Sequence, residues 1–252
     1  MKVVVCVKQI PDPASEYHLE PDSHWLVRPA DQVLDDTDRY GVEMGLQLAQ
    51  ASEGGTVTLV SMGPVGNMQG IRQALAMGAD KAVVVDDGEL KGSDALTTAR
   101  VLAAAIQREG FDLVIAGTES TDGYSGIVPQ MVAEFLSVPA LTYATSVEVG
   151  DGVTIHRQSA SGYDTVEAPL PALVSVTAGV VEPRYPTFKG IMDAKKKPID
   201  TLTVGDLGVS PDVDQKVTAI SPAPERSGGT IVEDDGEAHL AIVAKLREMK
   251  VI

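Results

Sequence analysis

The sequence is poor in cysteine, in aromatic residues and in basic residues. Cys6 is the single cysteine among 252 residues, so no disulfide framework can form and a reducing compartment is expected. Lys and Arg number 20 against 36 Asp and Glu, which gives a formal net charge of −16 at pH 7. This balance argues against binding to nucleic acids or anionic membranes, because both require a basic face. Small phosphorylated ligands remain open, because backbone N–H groups can hold them.

Long apolar runs are missing too. No apolar run reaches about 18 residues, so the sequence predicts no membrane insertion. The N-terminus, MKVVVCV, runs straight into Lys8 without an apolar stretch of signal-peptide length, so we expect a cytoplasmic protein. With 44% hydrophobic but only 4% aromatic residues, the core must be built from aliphatic side chains and Met.

The sequence also lacks recognisable catalytic machinery. The four histidines, at positions 18, 24, 156 and 239, are scattered and show no metal-binding spacing. No serine elbow, cysteine–histidine pairing or P-loop lysine is present. These absences predict a chain that is not an enzyme and holds no metal, and they favour a binding or electron-transfer role.

Strand and helix patterns alternate through the first half of the chain. Apolar runs predict strands at 2–7, 56–61, 81–85 and 112–116, and amphipathic patterns predict helices at 35–51, 68–77, from a cap at Ser93 to Ile106, and within 124–136. Four strands separated by helices imply an α/β fold with a doubly wound, mostly parallel sheet.

The pattern changes after Pro139. Short alternating segments at 141–149, 152–158 and 163–166 predict antiparallel hairpins, and Ala172–Thr177 predicts a buried strand that returns to the main sheet. We therefore predict an α/β nucleotide-binding domain over 1–204 and an extended C-terminal arm over 205–252. The arm ends in an amphipathic helix, which would dock on a partner subunit or fold back on its own domain.

A small-residue loop follows the fourth strand. The segment Phe111–Gln130, FDLVIAGTESTDGYSGIVPQ, runs from an apolar strand through Gly, Ser and Thr into a helix. Such a loop lets backbone approach a phosphate, and ligands of parallel sheets sit beyond the carboxyl ends of strands. A plain turn that starts a helix is the alternative. Asp35, Asp36 and Asp38 could reach the same crevice to contact a ribose or base, or could act as helix caps.

A stiff loop stands out near the end of the first domain. In Glu182–Ile199, EPRYPTFKGIMDAKKKPI, two prolines restrain a loop that carries Arg184, Tyr185 and Phe188, and three lysines follow. An aromatic tip beside a basic cluster on an acidic chain suits contact with another protein. A surface connection with a solvated lysine run is the alternative.

These segments together resemble the β subunit of electron-transfer flavoprotein, in its bacterial branch. The resemblance covers essentially the whole chain, through MKVVVCVKQIPD, IRQALAMGADKAV, DLVIAGTESTDG, LPALVSVT and EPRYPTFKGIMDAKKKPI. It implies a fold of the adenine-nucleotide-hydrolase-like type, an α subunit as heterodimer partner, FAD shared with that subunit, and AMP in the β subunit. It also implies docking to acyl-CoA or related dehydrogenases and electron transfer to a quinone-linked oxidoreductase.

The resemblance also assigns residues. It implies cofactor contacts from Cys6, Asp35, Asp36, Thr37, Asp38, Met62, Gly117, Thr118, Glu119, Ser120, Thr121, Asp122, Gly123, Tyr124, Ser125, Gly126, Ile127 and Val128. For the recognition loop, 182–197, it implies partner contacts from Arg184, Tyr185, Phe188, Ile191, Met192 and Lys195. Two alternatives stay open: a bifurcating type with a second FAD in place of AMP, and an adenine-nucleotide-dependent enzyme of the same fold.

Overall fold

The computed structural model describes residues 1–64, 66–221, 223–224 and 228–252. Residues 65, 222 and 225–227 lie outside this description, and the last four of these belong to the predicted arm. The chain divides into two compact units, Met1–Val217 and Thr218–Ile252. The compact first unit thus runs beyond residue 204, and the role of the arm stays a prediction.

The first unit is an α/β structure. Its strands are β1 (Lys2–Cys6), β2 (Gln9–Ile10), β3 (Val33–Leu34), β4 (Thr56–Met62), β5 (Lys81–Val85), β6 (Leu113–Gly117), β7 (Ala140–Val149), β8 (Gly152–Ser159), β9 (Gly162–Pro169), β10 (Ala172–Val176) and β11 (Ile199–Leu202). Its helices are α1 (Asp36–Ala51), α2 (Gln69–Met77), α3 (Ala95–Glu109), α4 (Val128–Leu136), α5 (Phe188–Ala194) and α6 (Val204–Leu207).

Nine strands form one sheet in the order β11-β5-β4-β1-β6-β10-β7-β8-β9. Pairing is parallel from β11 to β7, and antiparallel for β7 with β8 and β8 with β9. The short strands β2 and β3 pair separately. The mostly parallel, doubly wound fold class predicted from the sequence is therefore confirmed, with the hairpin additions at one end.

The core has two layers, one on each face of the sheet. Successive side chains of a strand point to opposite faces, so Val3 and Val5 of β1 pack in one apolar cluster while Val4 packs in the other. The first cluster takes in residues of α1, α2 and α5, and the second takes in residues of α3, α4 and α6. Burial on both faces explains why the central strands read as continuous aliphatic runs.

Two sequence predictions about helix starts are corrected. Asp94, not Ser93, caps α3, because its carboxylate accepts a hydrogen bond from the Thr97 N–H at 2.8 Å. Phe188 is not in the loop but is the first residue of α5, which Thr187 caps through the Gly190 N–H at 3.0 Å. Sequence patterns mark the presence of a helix better than its first residue, since caps compete within one turn.

The second unit contains α7 (Ala238–Glu248). None of the described residues of α7 is buried, and Leu240 and Ile242 are exposed. Throughout the described ranges, no helix combines the length and apolar character needed to cross a membrane.

Candidate functional site

A cleft lies where three neighbouring strands end. β1 pairs with β4 on one side and β6 on the other, so the carboxyl ends Cys6, Met62 and Gly117 meet at one edge of the sheet. The chain winds from β1 to β4 and β5 and then returns to the far side of β1, which makes this edge a topological switch point. The cleft is lined by Cys6, Val7, Lys8, Asp38, Met62, Thr98, Leu102, Ala116, Gly117, Glu119, Ser120, Ser125, Val128 and Pro129.

Asp35 ties the start of α1 to the loop after β6. One carboxylate oxygen accepts hydrogen bonds from the N–H and hydroxyl of Thr37, at 3.1 and 2.9 Å. The other accepts from the N–H and hydroxyl of Thr121, at 2.7 and 3.1 Å. Both oxygens of this buried carboxylate are therefore used internally, and the helix-cap interpretation of Asp35 is the one its contacts support.

Asp38 is the buried carboxyl of the cleft wall. Its Oδ2 accepts a hydrogen bond from the Lys8 N–H at 2.6 Å. Burial, strengthened by the neighbouring charge of Asp35, raises the pKa of Asp38 well above its usual range. Burial, helped by the charge of Asp38, also raises the pKa of the Cys6 thiol to about 12, so Cys6 is a neutral wall residue.

Asp122 joins two cations behind the loop. Its side chain is 0% exposed, with Oδ1 2.7 Å from Lys8 Nζ and Oδ2 2.5 Å from an Arg28 guanidinium nitrogen. Burial alone would raise the pKa of Asp122, but the two cations outweigh it and hold the pKa below its usual value. Lys8 also donates to the Ser120 hydroxyl at 3.2 Å, so the cations serve to shape the loop.

Helix α4 begins at the mouth of the cleft without a capping side chain among the described residues. Its cap position is Ile127, Pro129 lies in its first turn, and Gly126 precedes it with φ of +64°. A positive φ favours glycine, and a Cβ at Gly126 would lie 3.3 Å from Glu119 Oε2. An uncapped helix N-terminus beside small residues offers N–H donors and positive potential to an anionic group.

The other predicted cofactor contacts fall into two groups: residues that are hydrogen-bonded within the protein and residues that are exposed. Thr118 donates its hydroxyl to the Val176 carbonyl at 3.1 Å, and Thr37 donates to the Glu119 carbonyl at 3.3 Å. Asp36 is exposed and pairs with Arg39 one turn along α1. Gly123 and Tyr124 lie in the exposed turn of the loop, with φ of +49° at Tyr124.

A second exposed feature lies on the segment Glu182–Ile199, which we call the recognition segment. Its Tyr185 and Phe188 are 85% and 82% exposed, and Ile191 and Met192 are also exposed. Three of these four residues lie in or beside α5, a short helix that rests on α2. The exposed residues Tyr185, Phe188, Ile191 and Met192 make up what we call the apolar tip.

The chain is similar to known proteins along almost its whole length. The electron transfer flavoprotein domain matches residues 24–207. Over an alignment of 263 positions, the chain is 43% identical to electron transfer flavoprotein subunit beta of Mycobacterium tuberculosis, with 99% of each chain covered. It is 36% identical to the protein of that name from Megasphaera elsdenii, and 32% identical to a subunit of the caffeyl-CoA reductase–Etf complex of Acetobacterium woodii, with full coverage.

The chain belongs to the electron transfer flavoprotein β-subunit family. The resemblance stated from the sequence is thereby confirmed. As a β subunit of this family it is an electron-carrier subunit rather than an enzyme. The names of its relatives imply a flavin and an α subunit, without fixing which groups of this chain contact them.

Several predicted site residues of this β subunit form ion pairs or hydrogen bonds with other residues of the same chain. Arg184, predicted to contact a protein partner, forms a two-point ion pair with Glu43 of α1 at 2.6 and 2.9 Å. The basic cluster is likewise not a solvated run throughout. Lys195 and Lys196 are exposed, but Lys197 donates to the carbonyls of Leu75 and Ala79 at 3.1 and 2.7 Å.

Sequence reasoning missed part of the cleft wall. Thr98 and Leu102 of α3 line the cleft, and Arg28 lies behind it. Arg28 sits in the long connection between β2 and β3, where no local pattern marks it as part of a site. The spacing of Thr98 and Leu102 places them on one helix face, but only the packing of α3 shows which end of the sheet they reach.

Proposed function

We propose that this chain binds AMP in the cleft, helps to enclose an FAD held mainly by an α subunit, and docks dehydrogenases through the apolar tip. Electrons then pass through the flavin toward a quinone-linked oxidoreductase, in the cytoplasm. The observation that carries the nucleotide assignment is the uncapped start of α4 at the switch point of the sheet.

The cleft residues suit a nucleotide monophosphate. Small residues at Gly117, Ser120 and Ser125 leave room for close approach, and the N–H groups at the start of α4 can receive the phosphate. Lys8 is committed to Asp122, so backbone donors rather than a cation would hold the charge. The wall of Val7, Leu102 and Val128 supplies apolar surface for a base.

The chain contributes positioning and docking rather than chemistry. FAD supplies the redox chemistry when it is bound between the subunits. This β subunit would close one side of the flavin site and hold the complex against a dehydrogenase, so that electrons cross a short distance. A large apolar tip fits that task, because aromatic and Met side chains are enriched at the centres of protein interfaces.

Released cofactors test the proposal directly. The chain is co-expressed with its α subunit, purified and denatured, and FAD and AMP are quantified by chromatography. One FAD and one AMP per heterodimer are expected, and the chain purified alone should not be yellow. A bifurcating Etf homologue, the caffeyl-CoA reductase–Etf complex subunit, is also among the relatives at 32% identity, and the bifurcating alternative would place a second FAD in the cleft. Two FAD and no AMP would establish that alternative.

A charge variant tests the phosphate position. Gly126→Asp adds a carboxylate near the proposed phosphate, while Gly126→Ala imposes the same backbone strain without the charge. AMP affinity should fall about tenfold more in the Asp variant than in the Ala variant, since one pKa-unit equivalent of repulsion is about 1.4 kcal/mol. Equal AMP affinity in the two variants would show that the phosphate does not lie at this position.

The docking role is tested by Phe188→Ala. Loss of a central aromatic anchor of about 2 kcal/mol weakens association by roughly 30-fold. The half-saturating concentration of an acyl-CoA dehydrogenase in flavin reduction should rise by that factor, with FAD and AMP content unchanged. Tyr163→Ala is the matched control, because Tyr163 is 81% exposed but lies on β9, away from the recognition segment in sequence. An unchanged half-saturating concentration in Phe188→Ala would end the anchor assignment.

A further inference from the structure

The recognition segment is held at its start by a buried carboxylate of α1. Glu43 is 4% exposed in its side chain. Arg184 meets it with Nε at 2.6 Å and a terminal guanidinium nitrogen at 2.9 Å, and the Arg184 N–H donates to the same carboxylate at 3.3 Å. A two-point guanidinium–carboxylate pair fixes orientation as well as distance, so Arg184 and its backbone are both fixed on α1.

The end of the segment is attached to α2 by two cationic side chains, one from each element, that donate hydrogen bonds to carbonyls of the other. Arg72 of α2 donates to the carbonyls of Ala194 and Lys197 at 2.6 and 2.9 Å, which are the last carbonyls of α5 and its continuation. Lys197 donates in return to the carbonyls of Leu75 and Ala79, at the end of α2. Each helix thus receives a cation at its negative end, which stabilises both.

Close packing completes the second attachment. A Cβ at Gly190 would lie 2.5 Å from the Ala76 carbonyl oxygen, so α5 and α2 approach as closely as backbone allows. Ala194 at the end of α5 is buried in the same apolar cluster as α2. The segment is therefore attached to one helix before its apolar tip and to another after it.

The charges that make these attachments are not available to a partner. Among the described residues, Arg184, Arg72 and Lys197 each have buried or half-buried acceptors, whereas Lys195 and Lys196 have no ion pair. Lys195 and Lys196, together with the exposed Lys189 of α5, can contribute to electrostatic attraction. The two arginines and Lys197 act on the segment itself, and Pro183 and Pro186 restrict the backbone on either side of Arg184.

We propose that Arg184 and Arg72 are positioning residues for partner docking, which hold the apolar tip in its binding conformation before a partner arrives. A tip fixed in advance does not lose loop entropy on association, so affinity depends on residues that do not touch the partner. This inference rests on the proposed docking role of the tip, which Phe188→Ala tests separately.

The test must separate positioning from general stability. Arg184→Gln alone leaves the Glu43 carboxylate buried and unpaired, which destabilises the fold itself. The double variant Glu43→Gln/Arg184→Gln removes both charges and keeps two groups able to hydrogen bond. The control is Arg157→Gln/Asp164→Asn, which removes the ion pair between β8 and β9. Arg184→Lys, which keeps the charge but loses the two-point geometry, is the conservative variant.

Two measurements are made on the heterodimer. In hydrogen exchange followed by mass spectrometry, amides of 182–194 should exchange about tenfold faster in the double variant, as loss of a strong ion pair predicts. Peptides from β1 and β6 should be unchanged. In flavin reduction by an acyl-CoA dehydrogenase, the half-saturating concentration should rise about tenfold with the maximal rate unchanged, and Arg184→Lys should lie between wild type and the double variant.

The outcomes are distinct. Unchanged exchange over 182–194 in the double variant overturns the positioning role, whatever the docking assay shows. Faster exchange with unchanged half-saturation, in a protein where Phe188→Ala does weaken docking, also overturns it. If Phe188→Ala has no effect, the docking proposal fails, and the positioning role for docking fails with it. Faster exchange would then show a structural attachment only.

Discussion

The loop after β6 and the recognition segment are built on the same plan with opposite charges. In the loop, residues 117–127, two carboxylates hold the chain in place: Asp35 accepts from Thr121, and Asp122 of the loop itself pairs with Lys8 and Arg28 behind it. In the recognition segment the cations Arg184 and Lys197 do so. What is left to face outward is backbone, small residues and Tyr124 in the first region, and an apolar tip in the second. In both regions, then, charges paired inside the protein hold the exposed surface in place.

The physical reason is the cost of burying an unpaired charge. A buried carboxylate or guanidinium is tolerated only with close, hydrogen-bonded partners, and removing one partner leaves the other uncompensated. Such pairs strongly favour a single arrangement of the two side chains, which suits a loop that must keep a fixed shape. The two regions can be compared by breaking their internal pairs one at a time.

Breaking the Arg184 pair should have the largest effect on stability. Arg184→Gln leaves the almost fully buried Glu43 without its cation and should lower the free energy of unfolding by about 3 kcal/mol. Burial alone would raise the pKa of Glu43, but Arg184 and Gln47 bring it below its usual value. The stabilisation is therefore present above the unfolded pKa of about 4.5 and is lost as pH falls through the folded pKa.

Urea unfolding across acidic pH checks this result. The difference between wild type and Arg184→Gln should be constant near neutral pH and shrink in acid, as Glu43 becomes protonated in both proteins. A difference that stays constant down to the lowest pH would mean that Arg184 stabilises through packing of its stem.

Breaking the Asp122 pairs should have a smaller effect. Asp122→Ala removes the partner of Lys8 and Arg28, but both cations are partly exposed and can be hydrated, so a loss of about 2 kcal/mol is expected. Exchange of loop amides should increase more than that of the recognition segment. Asp122→Asn, which keeps an acceptor for Arg28, is the control and should lose less stability. An equal loss in both variants would show that a neutral acceptor contributes nothing there and that the carboxylate charge accounts for the whole effect.

Much of this arrangement could be predicted from the sequence, because it depends on local pattern. The aliphatic run of β1 and the small residues after β6 mark a parallel sheet with a site at its edge, and Pro183 and Pro186 mark a stiff loop. The sequence predicts a first helix with Asp35 or Asp36 near its start, and the cap is Asp35. Each of these features is encoded within a few neighbouring residues.

The internal partners could not be predicted, because they are far apart in sequence. Glu43 and Arg184 are separated by most of the domain, and so are Lys8 and Asp122. An isolated Arg beside an aromatic residue looks the same whether it pairs with a helix behind it or with another protein. Whether a charged side chain turns inward or outward depends on which helix packs behind the loop, and a single sequence does not reveal that packing.

Close packing of α5 on α2 gives a prediction that separates attachment by contact from attachment by charge. Gly190→Ala places a methyl group against the Ala76 carbonyl, and the overpacking should cost about 1–2 kcal/mol in the free energy of unfolding. Gly205→Ala in α6, where a Cβ would be 3.6 Å from its nearest neighbour, is the matched control. Exchange of α5 amides should rise in Gly190→Ala alone, and equal exchange in both variants would exclude a tight contact.

At Asp38 we expect a change of stability with pH rather than a loss at neutral pH, because burial and the charge of Asp35 raise the pKa of this cleft carboxyl. Between its unfolded and folded pKa values the folded protein holds a proton that the unfolded chain has released. Wild-type stability therefore falls as pH rises through that window. Asp38→Asn cannot titrate but can still accept the hydrogen bond from the Lys8 N–H. Its free energy of unfolding, relative to wild type, should increase as pH rises above the unfolded pKa of Asp38, in urea titrations of the two proteins. A relative stability that stays constant above the unfolded pKa would mean that Asp38 is held ionised by Lys8, as Glu43 is by Arg184, and the cleft would then contain a fixed negative charge in its wall.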